Sequence, residues 1–340
     1  MIVLSNCLTK TPDEGGLKLA TSLVKRIKQK NEDTFVISFD RQSEFADIHL
    51  PINKFLLNRK LISIIKKRKQ TVLYVPFPAP TTSMAIRIKI LSLFARHGLK
   101  VIMIRQFPMN GFAKYLIKSS KAEIIAFSKK ASDFYRDIVG DRVTYLKTGV
   151  DTDKFVPVSA DESRALKEKY GFDSTKPLIL HVGHMKEGRN VATLKKISND
   201  FQVLLVISTL SKQRQSEQLR NELSAIQNIK IMDGYIPNIE EIYQMCDAYF
   251  FPVVEAGHCI DVPLSCLEAA ACNKPVITTD YGEMREFVGK EGFLHLDSFD
   301  KDRINALINE ALSIENCSTR SFVTEYNWEN AALTIGGMKK

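Results

Sequence analysis

Residues 250–288, FFPVVEAGHCIDVPLSCLEAAACNKPVITTDYGEMREFV, bring Glu255, Asp261, Glu268 and Glu286 together with His258. Fixed carboxylates at the mouth of a strand accept hydrogen bonds from ribose or sugar hydroxyls, which need well-placed acceptors more than they need charge. The run reads as a buried strand, a loop, a helix, a second strand and a Thr-Thr-Asp-Tyr-Gly turn. Such a βαβ unit places strand ends, a helix N-terminus and acidic groups around one crevice, where open α/β sheets bind nucleotides and sugars. The plainer alternative is a set of solvated carboxylates, with Glu268 an exposed helix cap.

A second group lies in HVGHMKEGRN, residues 181–190, after the apolar run LILHVG. Gly183, His184, Lys186 and Arg189 put cations and free amides where a pyrophosphate could sit, although solvated loop charges would look the same. A third is P-D-E-G-G at residues 12–16. Gly15 and Gly16, between a strand and a helix, let the backbone approach a ligand closely or simply make a turn.

Elements that could position these groups come in two series. The first half alternates MIVLSN, TFVISF, TVLYVPF, KVIMIRQ, EIIAFS and RVTYLKTG with helical runs near 16–31, 54–69, 82–97, 111–119 and 129–138. After a polar linker with Pro157 and Pro177, the second alternates LILHVG, FQVLLVIS, IKIMDGYI, AYFFPV, PVITTD and FLHLD with helices near 190–198, 211–226, 238–246, 263–272, 283–288 and 300–314. Strands alternating with helices imply parallel sheets covered on both faces. A chain of 340 residues with 44% apolar composition is long for one core, so the expectation is two doubly wound domains, 1–150 and 151–325. The segment 326–340, with the only tryptophan, Trp328, is expected to pack back on the first.

Charge divides the same way. Residues 1–150 hold 27 Lys and Arg against 11 Asp and Glu, whereas residues 151–340 hold 21 against 28. The basic half suits an anionic partner. Residues 54–69, KFLLNRKLISIIKKRK, set Phe55, Leu56, Leu61, Ile62 and Ile65 among seven cations, and residues 83–100 repeat the theme. Such helices either lie on anionic membranes or bury their apolar face in a core. No nucleic-acid motif or stacking aromatic series accompanies the charge. The six cysteines form no C-x-x-C pair, and their spacing with His258 matches no standard zinc site, so buried thiols in a reducing compartment are expected. No apolar run is long enough to span a bilayer, and the N-terminus reads as a strand, so a cytoplasmic protein is expected, with any membrane contact peripheral at the inner face of the plasma membrane.

The order of G-G near the N-terminus, AFSKKASDF, KTGVDTDKFVP, a V-G turn with a basic residue six positions on, DGYIP, LEAAACNKPVITTDYG and a late Y-N-W-E resembles glycosyltransferase family 4 across nearly the whole chain. The resemblance implies the GT-B fold, two Rossmann-like doubly wound domains facing a central cleft. It also implies a nucleotide-sugar donor held mainly by the C-terminal domain, an acceptor held mainly by the N-terminal one, and metal-independent transfer with retention. No cofactor is implied.

On this resemblance Gly15 and Gly16 match the loop near the donor phosphate, and Gly183 the V-G turn. His184 and Arg189 stand where the family has Arg and Lys facing the diphosphate. Glu268 matches the second Glu of the E-x7-E pair, which contacts ribose; Thr279 and Gly282 match the turn beside the donor; Tyr235 matches a position against the base. The first Glu of the pair would fall at Ile260. Glu255 is its equivalent after a five-residue insertion, or Asp261 takes its place. Arg105 and Gln106 stand where the family often has His near the reacting sugar, and Glu283 replaces the second glycine of the D-x-G-G turn.

The reading is a retaining glycosyltransferase acting on a lipid-linked or polysaccharide acceptor, with Arg189 and Lys186 stabilising the departing diphosphate and Glu255 the transferred sugar. The alternatives are a silent relative that binds a nucleotide-sugar or glycan or scaffolds a partner enzyme, and a sugar-nucleotide epimerase or phosphorylase.

Overall fold

The computed structural model describes residues 1–12, 14–39, 43–53, 55, 58–76, 82–106, 108–207 and 217–337. Parts of the helices expected near 54–69 and 211–226, including Leu56, lie outside these residues, as do Asp13 of the P-D-E-G-G run and the last three residues of the 326–340 segment. The chain forms two units, one built from residues 1–148 with the last helix, Trp328–Gly336, the other from residues 149–327.

In the first unit, β1 (Ile2–Ser5), β2 (Phe35–Phe39), β3 (Ile48–Leu50), β4 (Val72–Val75), β5 (Leu99–Met103), β6 (Glu123–Ala126) and β7 (Val143–Tyr145) form a sheet in the order β3-β2-β1-β4-β5-β6-β7. Every pairing is parallel, with Val3 opposite Val36 on one side and Leu73 on the other. All four residues of β1 and of β4 are buried, as strands covered on both faces must be. The three-residue β3 is an edge strand that the sequence pattern does not reveal.

Helices cover this sheet with faces set by their sequences. Helix Gly15–Lys30 buries Gly16, Ala20, Leu23, Val24 and Ile27, an i, i+3, i+4 stripe, and packs against Trp328–Gly336. Asn58, Asn110 and Ser128 cap helices Arg59–Arg68, Gly111–Ser120 and Lys129–Val139 through their side-chain oxygens. On the basic helices Leu61, Ile65, Met84, Ile88 and Leu91 belong to the core, so these apolar stripes face the sheet.

The second unit contains β8 (Leu178–Val182), β9 (Gln202–Ile207), β10 (Ile229–Asp233), β11 (Ala248–Phe251), β12 (Val276–Thr278) and β13 (Phe293–His295), all parallel in the order β10-β9-β8-β11-β12-β13. Both units are doubly wound α/β. Strand order reverses between β1 and β4 in the first and between β8 and β11 in the second. The loops after those strands therefore diverge and leave a crevice at the strand C-terminal ends.

Two expected helices of the second unit are 3-10 turns instead. The segment Val191–Lys196 buries Val191 and Leu194, with Ile197 buried just after it, a spacing of three that fits a 3-10 turn, and it opens on Asn190 in the left-handed region at φ 55°. In place of a short helix near 283–288, Gly282–Glu286 forms a 3-10 turn.

Arg320 ties three parts of this unit together. Its Nη1 donates to the carbonyls of Phe155 at 2.6 Å and Ala271 at 2.7 Å, and its Nη2 donates to that of Thr152 at 2.7 Å. Ala271 ends helix Leu264–Ala271, whose last carbonyls have no intrahelical donor, so the guanidinium both caps that helix and holds the segment 152–155 against it.

Candidate functional site

The turn after β8 is shaped by a missing side chain. Gly183 extends the ladder by donating its amide to Val206 O at 2.9 Å. A Cβ there would stand 2.7 Å from Nη1 of Arg189 and 2.9 Å from Nε2 of His181, so the guanidinium and the imidazole occupy the space a larger residue would fill. The chain then bends through His184 and Lys186 into a 3-10 turn at Glu187–Arg189, with Lys186 N donating to His184 O at 2.9 Å and Arg189 N to Lys186 O at 3.0 Å. No α-helix opens here, and so no aligned helical amides face this point. Arg189 is 8% exposed, and its Nε donates to His258 O at 2.9 Å.

That contact brings in the loop after β11. Nε2 of His258 lies 3.0 Å from Oε2 of Glu255. Both groups lie over Gly188, where a Cβ would be 2.5 Å from the Glu255 carboxylate and 2.5 Å from the His258 ring. The loop after β11 is thus folded onto the basic turn at the β8–β11 reversal, with Arg189 bonded to the His258 carbonyl and the Glu255 carboxylate beside the His258 ring.

Its far end is stitched to the turn after β12. Tyr281 donates its hydroxyl to Cys259 O at 2.7 Å and accepts from Cys259 N at 3.2 Å, and burial pushes its phenol up to about 12. Thr279 Oγ1 donates to Val253 O, and Glu283 N donates to Asp261 O at 2.8 Å. Gly282 sits at φ +56°, and a Cβ there would run into the carbonyl oxygen of Asp261. A Gly282→Ala change combines left-handed strain with a backbone collision. It should cost about 2 kcal/mol or more of stability and displace residues 259–261. Urea unfolding measures this, and an unchanged midpoint contradicts the packing of that turn.

The remaining expected residues are placed elsewhere. Glu268 is the fifth residue of helix Leu264–Ala271 and only 2% exposed, so it is not an exposed helix cap. Burial and then the charge of Glu268 push the phenol of Tyr243 well above its usual range. Tyr235 follows β10, two strands from β8, and is 42% exposed. In the first unit, Gly15 and Gly16 open the helix after β1, and Arg105 and Gln106 follow β5. Among the described residues, no group of three His, Cys, Asp or Glu side chains is disposed to hold a metal ion. Two parts of this site escaped the residue reading: Tyr281, whose role depends on a tertiary contact, and His181. The signal for His181 is a histidine inside the otherwise apolar run LILHV.

A doubly wound α/β unit of this kind offers a ligand crevice at its strand reversal, and here Arg189 and the loop carrying Glu255 lie beside it. Residues 162–327 match the family described as Glycosyl transferases group 1. Among curated proteins, the chain is 22% identical over 182 residues to alpha-maltose-1-phosphate synthase of Mycolicibacterium smegmatis, covering 51% of this chain and 47% of that protein. It is 25% identical over 215 residues to the GDP-mannose-dependent monoacylated alpha-(1-6)-phosphatidylinositol monomannoside mannosyltransferase of Corynebacterium glutamicum, covering 57% and 56%. The alignments thus span about half the length of these curated relatives. The solved glycosyltransferase of Rickettsia africae ESF-5 shares the fold at a TM-score of 0.76 and 18% identity, over 98% of this chain and 97% of that one.

Proposed function

We propose that the protein is a retaining glycosyltransferase that takes its sugar from a nucleotide-sugar held by the second unit and passes it to a lipid-linked or polysaccharide acceptor recognised by the first. The observation that carries this is the meeting of Arg189 with the Glu255–His258 loop at the β8–β11 reversal. Phosphoryl oxygens leaving as a diphosphate need fixed positive charge, which Arg189 and Lys186 supply, and a carboxylate such as Glu255 suits sugar hydroxyls. Glu268 would orient the donor, and Tyr235 would lie against its base. In this role the cations stand where other transferases use a metal, so turnover should survive EDTA.

The test is a screen of UDP-, GDP-, ADP-, CMP- and dTDP-sugars by thermal shift, followed by release of nucleoside diphosphate with and without glycan or lipid-linked acceptors. A rise in melting temperature with one donor class, followed by turnover, supports transfer. Binding without turnover on any acceptor favours a silent relative, and product formed without acceptor favours an epimerase.

We also place a contact with an anionic membrane on the first unit, where it would bring the enzyme to a lipid-linked acceptor. The support is a pair of exposed aromatics rather than an amphipathic stripe. Phe112 and Tyr115 are 57% and 65% exposed on helix Gly111–Ser120, with Lys114 and Lys118 exposed on the same helix. Exposed aromatics among lysines suit the interface of an anionic bilayer. The protein should sediment with phosphatidylglycerol vesicles at low salt and not with phosphatidylcholine ones, and Phe112→Asp with Tyr115→Asp should release it. Equal sedimentation of the double variant contradicts this placement. No helix among the described residues is long and apolar enough to cross a membrane.

A further inference from the structure

His181 is an odd residue for its position. It lies on β8 and is fully buried, with its ring stacked on Tyr249 at 14° and 6.5 Å. Its Nδ1 is 2.8 Å from Phe250 O, and since a carbonyl only accepts, Nδ1 carries the hydrogen and donates. Burial pushes the imidazole down to about 4, with the charge of Arg189 acting in the same direction, so the ring is neutral near pH 7. The lone pair is then at Nε2, which is buried and has no hydrogen-bond partner among the described residues.

An unpartnered acceptor in a core strand costs stability, and Phe or Leu would serve packing better. What the nitrogen faces is specific. It and Nη1 of Arg189 lie within 3 Å of one point, the position of the absent Cβ of Gly183. Arg189 is held at its Nε by His258 O, which leaves its Nη1 in the same gap as the lone pair.

We propose that His181 is a positioning residue for Arg189. Its Nε2 accepts a hydrogen bond from the guanidinium when a nucleoside diphosphate occupies the turn, and this fixes the direction in which the guanidinium meets the diphosphate. Gly183 keeps the space open for that bond. The inference rests on the reading of this turn as a diphosphate site.

Two amide substitutions separate positioning from packing. Gln at 181 carries its amide out to the place of Nε2, whereas Asn reaches only as far as Nδ1. Titration calorimetry with UDP, GDP, ADP, CDP and dTDP should show His181→Gln within about threefold of the natural protein. His181→Asn and His181→Phe should bind the diphosphate about tenfold more weakly, roughly the worth of one hydrogen bond to a charged group. The matching nucleoside monophosphate should bind all four proteins within about twofold, since the bond acts through the diphosphate. His181→Phe should melt no lower than the natural protein. Equal diphosphate affinity in the Asn and Gln variants overturns the proposal, as does a loss that tracks melting temperature alone. If the natural protein binds none of the five diphosphates, the site reading fails and the inference falls with it; if it binds one and the variants do not differ, only the inference fails.

Discussion

Replacing Arg189 by Ala should lower turnover of the donor identified by the nucleotide-sugar screen by about 100- to 1000-fold, the usual cost of removing a fixed group that meets developing negative charge. The side chain is largely buried, where its charge acts more strongly than in water, and its Nε is held by His258 O beside the gap at Gly183. The fall should appear mainly in kcat, because the charge on the departing diphosphate grows toward the transition state. Arg189→Lys is the informative companion. It keeps the charge but loses the planar fork, so it should recover only part of the rate. Because Arg189 also anchors the 255–261 loop, circular dichroism and melting of both variants must accompany the kinetics. Unchanged turnover in a folded Arg189→Ala protein contradicts the assignment.

The second large effect is on stability. Arg320→Ala should destabilise the second unit by about 3 kcal/mol, since hydrogen bonds from a charged donor contribute more than neutral ones and three carbonyls lose their partner at once. The Ala271 carbonyl, at a helix C-terminus, also loses the cation that complements the helix dipole. Asn273, at φ 55°, accepts Arg320 N at 2.9 Å and would remain, so the segment should loosen rather than detach. Equilibrium urea unfolding reads this directly. A change below about 0.5 kcal/mol, the range of ordinary surface substitutions, would show that the clamp contributes little.

The sheets are legible in the sequence because fully buried parallel strands such as IVLS, VLYV and AYFF are unbroken apolar runs, and their alternation with helical stretches leaves little choice of class. What eludes a residue reading is set by tertiary contact. β3 is too short to show a period. Val191, Leu194 and Ile197 carry a spacing of three that is easily taken for part of a helix. On the basic helix Arg59–Arg68 the pattern of apolar and cationic residues is the same whether a stripe meets lipid or a sheet, and only packing shows that Leu61 and Ile65 face the core.

The site is legible to the same degree. Gly183, Arg189 and Glu255 stand out by type and position, and the structure brings Arg189 to the loop that carries Glu255. How the loop after β11 is held is not legible in the sequence, because Tyr281 and Thr279 reach Cys259 and Val253 through bonds between residues more than twenty positions apart. The burial of Glu268 beside Tyr243 is equally invisible in the run LEAAACNKP, where Leu267 before it and Ala269 after it suit a solvated or a buried carboxylate alike.

The central claim is that a nucleoside diphosphate binds at the strand ends of the second unit, against the turns after β8, β11 and β12. Hydrogen exchange read by mass spectrometry, with and without saturating UDP, GDP, ADP, CDP or dTDP, tests it most directly. At least one of them should slow exchange in residues 183–190, 253–261 and 279–284, with smaller changes in the strands beneath. No protection from any of the five, or protection confined to other segments, would contradict it.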